Sequence, residues 1–185
     1  MTWEQPMRLR ISLALVLMIQ APGCAPTQSP GNDGPRNPPP VRVELPPGWR
    51  PRTPYSKNIV QQAAYPDLDS YFQFGIERRS DFADGLGLMG WSKLLERNTG
   101  KVSKLANRQE TELREGMISG RAVVEYESTG DLNGVKLHYR HIMLEAGDYY
   151  CKLVCWTVPS HWEEAQSQFD GLVGRVKWDE KKVHK

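Results

Sequence analysis

Three groups of residues have types and spacings that could do chemistry. Gly85-Leu-Gly-Leu-Met-Gly90 fits the pattern G-x-G-x-x-G. In a dinucleotide fold such glycines allow a tight turn and bring the backbone to a pyrophosphate, directly after a buried strand in a βαβ unit. Here the polar residues Arg78-Arg-Ser-Asp81 and Asp84 intervene, and the later strands read as hairpins, so a flexible helix entry is the better account. Cys151 and Cys155 lie four apart. On a strand they share a face, with Cα atoms roughly 13 Å apart at ~3.3 Å per residue. A disulfide needs less than about 7 Å. Both are expected to be free, small buried hydrophobes. His138 and His141 are three apart on a strand and point to opposite faces, and His161 stands apart from both. There is no H-x-x-x-H or C-x-x-C spacing for a metal and no G-x-S-x-G elbow for a nucleophile. The carboxylates are scattered, and Trp49, Trp91, Trp156, Trp162 and Trp178 read as core and edge packing, any exposed ones being candidates for a binding surface. No catalytic, cofactor-binding or metal-ligating residue is assigned, no cofactor is expected, and the chain is expected not to be an enzyme.

The residue for which the sequence suggests a specific modification is Cys24. It follows a basic segment with Arg8 and Arg10, an apolar run Ile11-Ser-Leu-Ala-Leu-Val-Leu-Met-Ile19, and Gln20-Ala-Pro-Gly-Cys24. That is the layout of a secretory signal peptide, 1–23. The apolar run is shorter than the about 20 residues that span a bilayer. The segment before Cys24 resembles a bacterial lipobox, with Ala21 and Gly23 in place, although Ala21 and Pro22 stand where Leu and a small residue are usual. The resemblance implies a diacylglyceryl thioether on Cys24, which becomes the first residue after cleavage. An ordinary cleaved leader with an incidental Cys is the alternative. Residues 24–40 contain Pro26, Pro30, Pro35, Pro38, Pro39 and Pro40 among Gly, Ser, Asn and Thr, a composition that favours an extended, solvated tether. Such a segment can also be a ligand for aromatic grooves. Ala25 stands where an Asp would retain a lipoprotein in the inner membrane, so the outer membrane is expected in a two-membraned cell.

Charge narrows the partners. Lys plus Arg number 24 and Asp plus Glu 22. Without the leader's Arg8, Arg10 and Glu4 the balance is 22 to 21, close to neutral. Nucleic-acid domains show a basic excess, so no nucleic-acid partner is expected. The expected partners are a membrane, through the lipid anchor, and a protein.

The elements that would carry these residues fall within 41–178, followed by a charged tail at 179–185. Val41, Val43 and Leu45 alternate with Arg42 and Glu44, as a strand does. Residues 59–64 and 70–79 are further strands around the turn signal Tyr65-Pro-Asp67. Residues 85–98 read as a helix capped by Asp84, with Leu88, Trp91, Leu94 and Leu95 as its apolar stripe and Gly100 closing it. Strands are expected at 101–114, 118–128, 135–145 and 149–158, with a turn at Gly130-Asp-Leu-Asn-Gly134. Gly147-Asp148 suits a two-residue hairpin. Its register places Leu144 opposite Cys151, Ile142 opposite Leu153, Tyr139 opposite Trp156 and Leu137 opposite Val158. Both faces then carry apolar pairs, and such a sheet needs cover on both sides. A last helix, capped by Ser160 and with Trp162, Ala165, Phe169, Leu172 and Val173 as its stripe, supplies one cover, and a strand follows at 175–178. This is an α+β arrangement, a largely antiparallel sheet flanked by helices.

With those elements in place the chain resembles a known family. Val41-Arg-Val-Glu-Leu-Pro-Pro-Gly-Trp49, Gly116-Met-Ile-Ser-Gly-Arg-Ala-Val-Val-Glu-Tyr126, and Tyr149-Tyr-Cys-Lys-Leu-Val-Cys-Trp-Thr-Val-Pro159 leading to Gln168-Phe-Asp-Gly-Leu-Val-Gly-Arg-Val-Lys-Trp178 look like the PsbP-like fold. The photosystem subunit PsbP, the nuclear-import factor Mog and DcrB-type envelope lipoproteins share that fold. The resemblance implies an α/β/α sandwich and a non-enzymatic binding or assembly module. The alternative function is a small-ligand binder that uses a groove between sheet and helix.

Overall fold

The computed structural model describes residues 41–54, 59–83, 85–102 and 104–178. Cys24, the expected leader, tether and tail, and the capping candidate Asp84 lie outside the described residues. In chain order the elements are β1 (Val41–Val43), β2 (Arg50–Arg52), β3 (Ile59–Tyr65), β4 (Ser70–Arg78), α1 (Leu88–Val102), β5 (Ala106–Glu110), β6 (Arg114–Ile118), β7 (Arg121–Leu132), β8 (Val135–Ala146), β9 (Tyr149–Thr157), α2 (Trp162–Gly174) and β10 (Val176–Trp178). One sheet runs β2-β3-β4-β9-β8-β7-β5, with β6 also on β7, and every pairing in it is antiparallel. β1 and β10 form a separate ribbon.

The side-chain period of two sorts the residues of this sheet onto two apolar faces. Phe72, Phe74, Val123, Ile142, Leu144, Cys151, Leu153 and Cys155 share one core with Trp162, Ala165, Phe169, Leu172 and Val173 of α2. Their neighbours Val124, Met143 and Tyr150 pack on the other face with Tyr126 and with Trp91 of α1. The expected cover on both sides is therefore present, and the α2 stripe is buried throughout. Val41, Val43 and Val176 of the ribbon join the α2 core. Gln61 ties the ribbon to β3, accepting from the Val43 amide at 2.9 Å and donating to its carbonyl at 2.8 Å.

The β8–β9 hairpin has the expected register, with Leu144 opposite Cys151, Ile142 opposite Leu153 and Tyr139 opposite Trp156. Gly147 turns at φ +56°, and a Cβ there would overlap the Trp178 ring.

Several local expectations are corrected. The first strand stops at Val43, before Leu45. The five-residue turn at 130–134 is a two-residue Asn133-Gly134 turn, with Leu132 paired to Val135, because Asn and Gly both take positive φ there. α1 runs past Gly100 to Val102, so 101–114 is a helix end followed by β5 and the start of β6 rather than one strand. Leu94 is 41% exposed and falls off the buried stripe of α1. Ser160 lies in a short 3₁₀ turn, Pro159–His161, and the residue capping α2 is His161, without a side-chain hydrogen bond. β2 was not expected, since Pro51 cannot donate to a ladder and suits only an edge. No described helix is long and apolar enough to cross a membrane.

Candidate functional site

Polar groups line the contact between α1 and the sheet. Trp91 stacks on Tyr150 at 4.8 Å between centroids and donates its indole N–H to Glu77 Oε2 at 2.9 Å. The Tyr150 hydroxyl donates to the Leu86 carbonyl at 3.2 Å, which pins the glycine-rich helix entry to β9. Toward the C-terminal end of α1, Lys152 Nζ donates to Thr99 Oγ1 at 3.2 Å and Arg108 Nη1 donates to the Thr99 carbonyl at 3.0 Å. Arg108 also pairs with Glu110. Cations at this position satisfy the last carbonyls of a helix and oppose its negative end. They give a physical reason for α1 to continue past Gly100. Burial lowers the Lys152 pKa to about 8, with Glu77 acting the other way.

Deeper on the same face, His141 lies flat against Tyr126 at 4.2 Å, and its Nε2 is 3.0 Å from Ser128 Oγ. Burial, then the charges of Lys152 and Arg108, hold the His141 pKa well below its usual range, so the ring is neutral. A Ser–His pair invites a nucleophilic reading. However, Ser128 and His141 are each 2% exposed, and His141 Nδ1 has no hydrogen-bond partner among the described residues to orient the ring. Burial also raises the Tyr126 hydroxyl pKa, with Glu110 adding to it.

On the α2 face a chain of charges crosses β6, β7 and β8. Arg140 donates through Nε to Glu125 Oε2 at 2.8 Å and through Nη1 to Asp170 Oδ1 of α2 at 2.7 Å. Burial works against its charge, but Glu125 and Asp170 more than restore it and raise its pKa. Arg114 reaches Glu125 at 3.0 Å and Glu127 at 3.6 Å. His138 meets Glu127 at 2.9 Å and stacks on Trp162 at 3.4 Å. The network fastens α2 to the sheet at a fixed register.

His138 and His141 do point to opposite faces, and no group of three His, Cys, Asp or Glu residues among the described ones is arranged to hold a metal. Cys151 and Cys155 are free and buried. Burial pushes the Cys151 thiol up to about 12 and raises Cys155 too, so neither is a ready nucleophile. The six glycine-motif residues lead from β4, antiparallel to its neighbours, into α1, which is not a βαβ crossover. Trp49, Trp91 and Trp162 are core residues, and Trp178 is 36% exposed. Ser128, Lys152 and Arg140 were not singled out by the sequence. The readable signal for Ser128 was Asn133-Gly134: that turn fixes the β7–β8 register and sets Tyr126 opposite His141.

No protein-family model matches the chain, and no curated protein matches its sequence. Solved structures do match. Cyanobacterial PsbP (CyanoP) from Synechocystis sp. PCC 6803 aligns with TM-score 0.53 at 13% identity, over 80% of this chain and 98% of that one. LpqN of Mycobacterium tuberculosis, described as involved in cell envelope biogenesis, aligns with TM-score 0.50 at 11% identity, over 74% of this chain and 82% of that one. A protein from Bacteroides thetaiotaomicron VPI-5482 aligns with TM-score 0.56 at 8% identity, over 76% of this chain and 46% of that longer one. At such identities these likenesses show the fold alone. The described domain, an antiparallel sheet between α1 and α2 matched by PsbP over nearly all of PsbP's length, has the PsbP-like fold.

Proposed function

We propose that this chain is a non-enzymatic module of the bacterial cell envelope, exported, tethered by a lipid on Cys24, and bound to a protein partner in the manner of a DcrB-type lipoprotein. The described involvement of LpqN in envelope biogenesis supports an envelope role. The observation that carries the partner is the sheet edge at β6. Its first four residues are exposed, Met117 is 67% exposed, and among the described residues the strand pairs only with β7. An open strand edge with an exposed apolar side chain accepts an added strand, with backbone bonds for affinity and the side chain for specificity.

A photo-crosslinking residue at Met117 tests the reading in intact cells. One adduct of defined mass, absent when the crosslinker replaces Lys136 at the remote β7–β8 turn, is the expected result. Equal labelling from both positions, or none from either, contradicts it. The tether has its own test: Cys24→Ser moves the chain to the soluble envelope fraction after a salt wash, and unchanged membrane retention removes the lipid.

A second reading, a small ligand held between the sheet and α1, is favoured by His141 Nδ1 and Arg108 Nε. Both are buried without a partner among the described residues. A polar ligand or an ordered water would satisfy them. Native mass spectrometry of the full chain decides: retained low-mass material supports this reading, and the bare chain mass counts against it.

A further inference from the structure

We infer that the β1–β10 ribbon docks on an anionic phospholipid surface, so that the tether delivers the domain to the membrane in one orientation. The inference rests on the tether reading and adds a binding face to it. The ribbon's inward residues, Val41, Val43 and Val176, are buried, and its outward pair, Arg42 opposite Lys177, is exposed. Arg175 is exposed at the end of α2, and the Arg121 side chain reaches over to donate to the Val176 carbonyl at 2.7 Å. Among the described residues Glu44 and Asp148 stand against these cations, of which Arg121 is half-buried, and in the sequence Asp179 and Glu180 follow Trp178 and are offset by Lys181 and Lys182. Glu44 meets Arg42 only at 3.8 Å with both side chains about half exposed, and exposed pairs like this hold little energy. The ribbon therefore presents a positive balance on a chain that is otherwise close to neutral. Trp178, at the end of the ribbon, packs its ring over Gly147 and is left 36% exposed at the rim of this face. Trp is favoured at the membrane–water boundary, where its ring is half in each medium.

Chain continuity makes a lipid surface the occupant. Residues 24–40 run directly into Val41, the first residue of the ribbon, so a lipid at Cys24 would attach the domain to the bilayer at this ribbon. A tether raises the effective concentration of the face at the surface, so weak contacts suffice. Each basic side chain close to an anionic surface is worth about fivefold in partitioning. Arg42 and Lys177 together would bias orientation by an order of magnitude or more.

The test uses the exported chain purified from its envelope and mixed with vesicles of phosphatidylcholine alone or with about 30% phosphatidylglycerol, a strongly anionic surface. Flotation reports the tether. Acetylation of lysines by a water-soluble reagent, read by mass spectrometry, reports docking. Lys177 should label about fivefold more slowly on the anionic vesicles than on the neutral ones. Lys136, at the far end of β8, should label equally on both. The protection should vanish in about 0.5 M salt, where screening is nearly complete beyond a few Å, and in Arg42→Glu, whose melting temperature should match wild type. Equal Lys177 labelling on the two vesicle types overturns the docking, as does protection that survives Arg42→Glu. Flotation with equal labelling leaves the tether standing without the docking. Absence of flotation removes the tether as well.

Discussion

Arg140 keeps its charge inside the protein because Glu125 and Asp170 both contact it. The two carboxylates are not equivalent. Glu125 has a side chain 11% exposed and Asp170 one 49% exposed. Removing one partner of a buried pair leaves an uncompensated charge and costs about 3 kcal/mol or more, whereas losing an exposed partner costs less than about 1 kcal/mol. Arg140→Ala leaves Glu125 with only the exposed Arg114 and should therefore destabilise more than Asp170→Ala in urea unfolding, and equal losses would contradict this account of α2 docking. Lys152 makes a pH-dependent contribution. Its folded pKa is about 8 against an ordinary 10.5. Between those values the unfolded chain binds more protons, so this side chain adds stability as pH rises through the window. Cys151, raised from 9 to about 12, acts in the opposite direction above pH 9. Comparison with Lys152→Met isolates the lysine. Wild type should gain on the variant as pH rises from about 8 to about 10, and a constant difference would mean Lys152 titrates normally. Little of this was legible in the sequence. Ser128 and His141 are 13 positions apart, and only the register of β7 on β8 joins them. Reading residues 130–134 as one long turn hid that register.

Elements were readable where local chemistry decides them. Gly147-Asp148 allows few turn geometries, so the β8–β9 pairs followed from it residue by residue. The apolar stripe of α2 was readable because every member faces one core. The end of α1 was not readable, since Gly100 is a usual stop and the groups that bond Thr99, Arg108 and Lys152, come from β5 and β9. β2 was hidden for the same kind of reason: its pairing with β3 gives Arg50-Pro-Arg52 a strand geometry that its composition does not suggest. The two hairpin glycines allow a direct comparison. Gly134 has φ +80° with open space around the Cβ position, while Gly147 has φ +56° beneath the Trp178 ring. Gly134→Ala should cost about 1 kcal/mol, the backbone penalty alone. Gly147→Ala should cost clearly more, because Trp178 must also move, and thermal unfolding of the pair will show it. Equal costs would mean that β10 does not pack on the β8–β9 turn.

At the scale of the whole molecule, one sheet covered on both faces leaves its chemistry enclosed and its edges and ribbon outside. The thiols follow from that enclosure. Cys151 and Cys155 should react with a thiol reagent only when the domain unfolds, and any disulfide between them would break the β9 assignment. The α+β class and the cover on both faces were legible because a hairpin apolar on both sides demands them. Function was not legible to the same degree, because one fold supports unrelated roles and these polar groups hold the structure together. What we propose from the sequence is a place, through a lipid on Cys24. Intact-mass and peptide mass spectrometry of the chain purified from its envelope tests that claim most directly. The account predicts a mature chain that begins at Cys24 with a diacylglyceryl group on its sulfur. A mature chain that starts elsewhere, or begins at an unmodified Cys24, would contradict it.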